Sequence, residues 1–301
     1  MDKSMIKGII VPIITPMYDD ETVNTGELKN QTERMIDAGV SGIFAFGTNG
    51  EGYILSGKEK RDALRTVISV AKGRVPVYAG TGCVSTRETI EQSMMAQEEG
   101  ADILSIITPS FAKASQEELY NHYKAVAEAV SLPIVLYNIP ARTGNALSPA
   151  TVGRLAKIEN IVGVKDSSGD FSNILSYIAA GTDADPDFKI LSGNDRLIIW
   201  TLIAGGVGGI AGCANVYPKT ISSIYSLFSE GKIDEAIAVN ESIRSFRDLF
   251  KYGNPNTIVK KAVELLGYSV GNCRAPFNGL SEEAIIAIRQ VLEENKKKGL
   301  E

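Results

Sequence analysis

The chain has 301 residues, of which 44% are hydrophobic, and its formal net charge is −5. A chain of this length can bury a large core, either as one α/β barrel or as two ordinary domains. The acidic balance, with no basic block interleaved with aromatic residues, argues against nucleic acid as a partner. No apolar run reaches the roughly 20 residues needed to cross a bilayer. Residues 8–15 form an apolar run that is short and has no signal-peptide cleavage site, so a cytoplasmic protein without a membrane partner is expected.

The rare residue types exclude several kinds of active site. The one histidine, His122, lies in a segment with helical periodicity and is expected to face solvent or a neighbour. Serine triads, Cys-His pairs and multi-histidine metal sites would all need this residue, so we expect neither these sites nor a bound metal. The three cysteines show no Cys-x-x-Cys spacing, which is typical of reduced thiols. The chemistry should therefore depend on Lys, Tyr, Thr, carboxylates or backbone groups.

Apolar runs alternate with amphipathic segments along the first two thirds of the chain. Their starts lie roughly 20 to 35 residues apart, which leaves room for a crossover helix in each gap, as parallel strands need. Ser-x-x-Glu capping boxes at Ser56, Ser85 and Ser115 mark three helix starts. The pattern predicts an α/β fold, a TIM (β/α)8 barrel in preference to an open doubly wound sheet. The predicted strands are residues 8–15, 42–48, 76–82, 102–108, 133–139, 161–165, 188–192 and 208–214.

The pattern changes after residue 215, where only helices are predicted. Their apolar stripes indicate packing against the barrel or against a second subunit. We therefore expect residues 1–216 to form the barrel with the active site, and residues 217–301 to form a C-terminal helical extension. The predicted helices of this extension are residues 218–229, 233–250, 256–266 and 282–295.

A lysine interrupts one of the predicted strands. Residues 161–165 read as a strand buried on both faces, with Lys165 near its exit. Burying an ammonium is costly unless it loses its proton or finds a partner. A partly neutral amine at a strand's carboxyl end suits Schiff-base formation with a keto acid. The competing interpretation is a structural lysine that reaches solvent or pairs with Asp166.

Other polar groups follow the predicted strands and would meet at the same end of a barrel. Tyr137 can relay protons beside a strand lysine, and Thr48 can hydrogen-bond its phenol, although Tyr137 alone also fits a core aromatic. The backbone N–H groups of Gly47–Gly50 could bind a carboxylate. Arg142 could bind a second carboxylate or be a solvated arginine. Gly193 and Ile210 complete the cluster.

Several stretches in chain order match a known family. They are Gly47-Thr48-Asn49-Gly50-Glu51, Tyr137-Asn138-Ile139-Pro140-Ala141-Arg142-Thr143-Gly144, Val162-Gly163-Val164-Lys165-Asp166, Gly193-Asn194-Asp195 and residues 205–215. With these motifs the whole chain resembles the class I pyruvate-dependent aldolases typified by dihydrodipicolinate synthase and N-acetylneuraminate lyase.

The resemblance implies roles for individual residues. Lys165 would form a Schiff base with pyruvate without any other cofactor, and Tyr137 would shuttle protons. Thr48 and the Gly47–Gly50 backbone would hold the pyruvate carboxylate, and the Ile210 carbonyl would lie near the lysine. The family's usual assembly is a homotetramer, in which an aromatic residue after the fourth strand, here Phe111, reaches a neighbouring subunit's site.

Departures from the synthase pattern bear on the substrate. Asn49 replaces a second threonine, and Ser110-Phe111 replaces a pair of tyrosines, so a proton relay through the partner's phenol would be broken. Arg142 matches the synthases better than the sialic acid lyases. We predict a Schiff-base lyase or synthase that joins pyruvate to an aldehyde or cleaves a 2-keto-3-deoxy sugar acid or a similar 2-oxo acid. The alternatives are a true synthase acting on pyruvate and aspartate semialdehyde, a keto-deoxy sugar acid dehydratase, and a non-catalytic keto-acid-binding barrel.

Overall fold

Eight strands form the centre of the computed structural model, which describes residues 3–301. They are hydrogen-bonded in sequence order and close into a barrel. The registers from β1 to β2 and from β3 through β8 are parallel. The predicted TIM barrel is confirmed, and each strand lies within or next to its predicted run. The strands are Gly8–Pro12 (β1), Gly42–Ala45 (β2), Val77–Gly80 (β3), Ile103–Ile107 (β4), Ile134–Asn138 (β5), Ile161–Asp166 (β6), Lys189–Ser192 (β7) and Gly208–Ile210 (β8).

The helices begin where the sequence carries capping signals. Ser56 and Ser115 form complete capping boxes with the glutamates three residues on, and the Ser85 side chain accepts the Glu88 backbone N–H. The α-helices are Thr25–Asp37 (α1), Gly57–Ala71 (α2), Thr86–Glu98 (α3), Gln116–Ala129 (α4), Pro140–Thr143 (α5), Pro149–Leu155 (α6), Phe171–Ala184 (α7), Ile198–Ile203 (α8), Pro218–Ser229 (α9), Ile233–Ser242 (α10), Arg244–Arg247 (α11), Pro255–Leu265 (α12) and Glu282–Lys297 (α13).

Contacts group the chain into two compact units. The first comprises the described residues up to Gly8 together with Pro76–Ile210, and contains β3 to β8 with α3 to α8. The second comprises Ile9–Val75 and Ala211–Glu301, and contains most of β1, all of β2, and α1, α2 and α9 to α13. The second unit thus mixes the start of the chain with its C-terminal helices. The division at residues 216 and 217 stays a prediction.

The predicted helix 233–250 is wrong in its length. The structure ends α10 at Ser242, continues with the short α11, and then forms a 3₁₀ helix over Asp248–Tyr252. The Ser242 hydroxyl donates to the Val239 carbonyl at 2.7 Å, and the Ile243 N–H donates to the Glu241 carbonyl. The regular α-helical hydrogen-bond ladder is interrupted at this point, since the Ile243 N–H bonds a carbonyl two residues back.

Candidate active site

Two predicted catalytic side chains lie together on neighbouring strands of the first unit. Tyr137 of β5 is the register partner of Lys165 of β6, so both side chains project to the same face of the sheet. Lys165 is 4% exposed and Tyr137 is 3% exposed. The Lys165 Nζ atom lies 3.7 Å from the centroid of the Tyr137 ring. The lysine is therefore a buried amine held against an aromatic face, and the interpretation that it reaches solvent is wrong.

The next residues along these strands form a buried polar network on the opposite face. The Asp166 carboxylate accepts hydrogen bonds from Asn138 Nδ2 at 2.7 Å, Asn173 Nδ2 at 3.0 Å and the Ser168 hydroxyl at 2.5 Å. Burial raises the pKa of Asp166 above its usual range, although the hydrogen bonds counteract this effect. The network joins β5, β6 and the start of α7, and so fixes the strand pair that carries Tyr137 and Lys165.

Sequence reasoning did not identify the role of Asn138 and Asp166. Each is the last residue of an apolar strand, and the two are register partners. A polar residue ending each of two adjacent buried strands is the signal that could have found them, because buried polar groups almost always pair.

Gly193 leaves the space that the lysine occupies. A Cβ atom at this position would lie 2.8 Å from Lys165 Cε, 1.8 Å from Ser167 Oγ and 3.0 Å from the Asp166 carbonyl oxygen. The Gly193 N–H also donates to that carbonyl at 2.6 Å. Any larger residue would have to push into the lysine or the end of β6, so the close approach requires glycine.

The remaining predicted site residues of the first unit differ in exposure. Ile210 ends β8 and is 1% exposed, whereas Arg142 is an exposed residue of the short helix α5. Phe111 is 99% exposed and has a φ of 78°, in the left-handed region that a bulky residue rarely adopts. Phe111 therefore combines full exposure of an aromatic ring with a strained backbone.

The other predicted residues lie in the second unit, in residues 46–52, which we name the β2 exit turn. Phe46 and Glu51 have φ values of 63° and 55°, so the turn contains two strained non-glycine residues. Thr48 and Asn49 are half-buried. The Asn49 side chain lies beside Gly212, because a Cβ atom on that glycine would be 3.3 Å from Asn49 Oδ1.

Residues from α12 and the segment after it bind the β2 exit turn. Asn256 Nδ2 donates to the Thr48 carbonyl at 2.6 Å. Lys260 Nζ donates to Glu51 Oε1 at 2.8 Å, and the Arg274 backbone N–H donates to Glu51 Oε2 at 2.8 Å. The side chains of Lys260 and Glu51 are 1% and 0% exposed. Sequence reasoning missed these residues, and the available signal was a lysine placed among the apolar residues of α12.

His122 faces a neighbouring helix, which is one of its two expected environments, and the alternative that it faces solvent is wrong. It is 6% exposed, and its Nδ1 atom lies 2.9 Å from the Thr86 hydroxyl. Burial lowers the pKa of His122 to about 4. This histidine is packed in the helical layer because its helix turns the ring toward the neighbouring helix α3.

Within residues 3–301, no three His, Cys, Asp or Glu side chains lie together in a way that could hold a metal ion. No helix of the described chain is both long and apolar enough to span a bilayer.

Comparisons with known proteins cover nearly the whole sequence. The model of the "Dihydrodipicolinate synthetase family" matches residues 5–295. The 4-hydroxy-tetrahydrodipicolinate synthase of Methanopyrus kandleri is 40% identical over 298 residues, which is 98% of this chain and 97% of that protein.

Solved structures agree with this match. The dihydrodipicolinate synthase of Acinetobacter baumannii in complex with pyruvate has 36% identity and a TM-score of 0.92, covering 97% of this chain and 99% of that one. A prophage protein of the family from E. coli K12, also in complex with pyruvate, has 32% identity, a TM-score of 0.93 and the same two coverages. The chain therefore belongs to the dihydrodipicolinate synthetase family of pyruvate-dependent class I lyases and synthases.

Proposed function

We propose that this enzyme is a 4-hydroxy-tetrahydrodipicolinate synthase, which condenses pyruvate with aspartate semialdehyde. The observation that carries the proposal is the buried Lys165 amine, 3.7 Å from the centroid of the Tyr137 ring. Relatives named as this synthase match the chain at 35–40% identity over almost its full length, which supports the choice of substrates. These relatives support the alternative prediction, a synthase acting on pyruvate and aspartate semialdehyde, better than the main prediction of a general aldolase that favours a sugar acid.

The reaction begins with attack of the neutral Lys165 amine on the C2 carbonyl of pyruvate. The carbinolamine formed loses water to give a protonated Schiff base, and Tyr137 exchanges the protons that these two steps require. Loss of a proton from the pyruvate methyl group then gives an enamine. Its carbon attacks the aldehyde of aspartate semialdehyde, which forms the new C–C bond, and the resulting alkoxide takes up a proton. The amino group of the semialdehyde then displaces Lys165 as the product cyclises.

The carboxylates of the two substrates need separate partners. We assign the carboxylate of pyruvate to Thr48 and the backbone of Gly47–Gly50, in the β2 exit turn. We assign the carboxylate of the semialdehyde to Arg142, whose guanidinium can bind it in bidentate fashion. Ile210 contributes its carbonyl, and Gly193 contributes the space beside Lys165 that the Schiff base needs.

Phe111 supports assembly with further copies of the chain. Its ring is 99% exposed, and its backbone is left-handed. Burial of this ring against a neighbouring subunit would be favourable, because it would remove apolar surface from water. We infer a homotetramer in which Phe111 lines a partner's site. The cytoplasmic location stays a prediction.

A second candidate function is cleavage of a 2-keto-3-deoxy sugar acid. It is favoured by Asn49, whose amide can both donate to and accept from sugar hydroxyls, and by Phe111, which has no hydroxyl to pass on a proton. The two candidates share the Lys165 chemistry and differ only in the second substrate.

The first experiment traps the Schiff base. The protein is incubated with pyruvate and borohydride, its intact mass is measured, and the modified peptide is mapped. We expect one pyruvyl adduct on Lys165, no adduct in Lys165→Ala, and an unchanged adduct in Lys189→Ala, a control that removes the lysine at the start of β7. A folded wild type without an adduct would remove both candidates and favour a keto-acid-binding barrel.

The second experiment chooses the aldehyde. Pyruvate condensation is measured with aspartate semialdehyde, and cleavage is measured with a panel of 2-keto-3-deoxy sugar acids. We expect the value of kcat/KM to be highest for aspartate semialdehyde. A higher kcat/KM for a sugar acid would favour the second candidate function, cleavage of a 2-keto-3-deoxy sugar acid.

A further inference from the structure

The β2 exit turn is held from outside the barrel strands by one face of α12. Asn256 and Lys260 are four residues apart, so they lie on the same side of this helix. Both are buried, at 2% and 1% exposure. Asn256 binds the carbonyl of Thr48, and Lys260 binds the carboxylate of Glu51. The two side chains therefore hold the turn at two points three residues apart.

The contact from Asn256 controls the orientation of a backbone donor. The Thr48 carbonyl accepts the Asn256 amide at 2.6 Å and the Glu51 N–H at 3.2 Å. The peptide bond between Thr48 and Asn49 is planar, so fixing its carbonyl also fixes the Asn49 N–H, which points the opposite way. That N–H is one of the backbone donors of Gly47–Gly50 assigned above to the pyruvate carboxylate.

The contact from Lys260 opposes the strain of the turn. Glu51 has a left-handed backbone and a fully buried carboxylate, which are two unfavourable features at one residue. The Lys260 ammonium and the Arg274 N–H each bond one oxygen of that carboxylate, and Lys260 also donates to the Asn272 carbonyl at 2.8 Å. Without this charge pair, the turn would be expected to relax toward a less strained backbone.

We propose that Asn256 and Lys260 are positioning residues for substrate binding, which hold the β2 exit turn so that its Asn49 N–H is directed at the carboxylate of the keto acid. Neither residue touches the reacting atoms. The assignment of the carboxylate to this turn rests on the proposed function, whereas the restraint of the turn by α12 does not.

Two measurements test separately the restraint of the turn by α12 and the binding of the keto-acid carboxylate by the turn. Hydrogen exchange followed by mass spectrometry reports on residues 46–55 in the protein without substrate. Borohydride trapping at a series of pyruvate concentrations reports the concentration that gives half-maximal adduct formation, and the trapping rate at saturation.

Asn256→Ala removes the amide that donates to the Thr48 carbonyl and, at 3.3 Å, to the Tyr53 hydroxyl. We expect exchange in residues 46–55 to become at least about fivefold faster, since neutral hydrogen bonds to two residues of this segment are lost. We also expect half-maximal trapping to need about tenfold more pyruvate, because a bond to a charged group is misdirected. The trapping rate at saturating pyruvate should change by less than about threefold, since Lys165 and Tyr137 are unaltered.

A matched control removes a similar buried polar group elsewhere in the second unit. Asn295→Ala in α13 removes an amide that donates to the Tyr217 hydroxyl at 3.0 Å and accepts from the Ser245 hydroxyl. This control should lower thermal stability while exchange in residues 46–55 and the pyruvate dependence stay at the wild-type values.

The role of the Glu51–Lys260 ion pair must be tested in a variant that keeps the fold. Lys260→Met would leave the buried Glu51 carboxylate without its ammonium, so the double variant Glu51→Gln/Lys260→Met is used instead. We expect this neutral pair to retain the fold and to raise exchange in residues 46–55 and the half-maximal pyruvate concentration by severalfold.

The outcomes are distinguishable. If Asn256→Ala and the double variant keep the wild-type pyruvate dependence while the wild type forms its adduct, the positioning role is refuted. If the wild type forms no adduct, the proposed function fails, and unaltered exchange in residues 46–55 of Asn256→Ala would then also refute restraint of the turn by α12.

Discussion

Substitution of Gly193 by alanine should impair the lysine through a displacement that the structure defines. The new Cβ atom would lie 2.8 Å from Lys165 Cε, whereas ordinary contact begins at 3.4 Å, so the lysine side chain must move by about 0.6 Å. The Ser167 hydroxyl, at 1.8 Å, can rotate to another staggered position. A misplacement of 1 Å can cost about a hundredfold in rate, so 0.6 Å should cost about 15-fold.

The assay is the rate of borohydride-trapped adduct formation at saturating pyruvate, measured alongside thermal unfolding. Gly279→Ala is the control, because no atom lies within 4 Å of a Cβ placed there. Ser167→Ala/Gly193→Ala removes the hydroxyl clash and leaves the lysine clash, so it should remain about 15-fold slow. Recovery of the wild-type rate in this double variant, or a loss below about threefold in Gly193→Ala, would refute the displacement of Lys165 as the cause.

Three further predictions follow from buried groups. Tyr137→Phe should lower turnover about a hundred- to ten-thousandfold, since positioned proton transfer is lost. The control Tyr177→Phe removes a buried hydroxyl that donates to the Leu147 carbonyl, and it should retain turnover. Equal losses of turnover in the two variants would contradict the proton relay through Tyr137. The pKa of His122 is about 4, below the ordinary 6.5, so its contribution to stability is complete above pH 6.5 and is lost as the pH falls toward 4. In urea unfolding, His122→Gln should reduce the difference in stability between pH 7 and pH 4 by about 3 kcal/mol, and an unchanged difference would show that the histidine is not responsible. Lys260→Met should lower the free energy of unfolding by about 3–5 kcal/mol, and Glu51→Gln in the same chain should restore most of it; a single variant as stable as the wild type would mean that the buried charge is satisfied elsewhere.

The barrel could be predicted from the sequence because its strands are buried on both faces. Such strands appear as continuous apolar runs, and the spacing between them leaves room for helices. Lys165 was visible for the same reason, as a cation near the exit of a run that should be apolar. Local patterns of this kind show whether a strand or helix is itself buried or exposed.

The restraint of the β2 exit turn could not be predicted in this way. Lys260 and Glu51 are 209 residues apart along the chain, and Asn256 and Thr48 are 208 apart. The position of Lys260 among the apolar residues of α12 indicates a buried cation, but nothing in the local spacing identifies its distant partner.

The burial of His122 was missed for a related reason. The apolar stripe of α4 gives the direction of the core, and the histidine was placed outside that stripe. In the structure the neighbouring helix α3 supplies Thr86 as its partner, so a polar ring is buried between two helices instead of facing water.

The Glu51–Lys260 pair also determines where the chain can be shortened. A minimal barrel ending at residue 216 would keep the eight strands, and by topology it would look complete. It would, however, remove the Lys260 ammonium and the Arg274 N–H that bind the Glu51 carboxylate, and the Asn256 amide that binds the Thr48 carbonyl. In protein engineering the C-terminal helices should therefore be kept with the barrel, and fusion or circular permutation should preserve the attachment of α12 to the β2 exit turn.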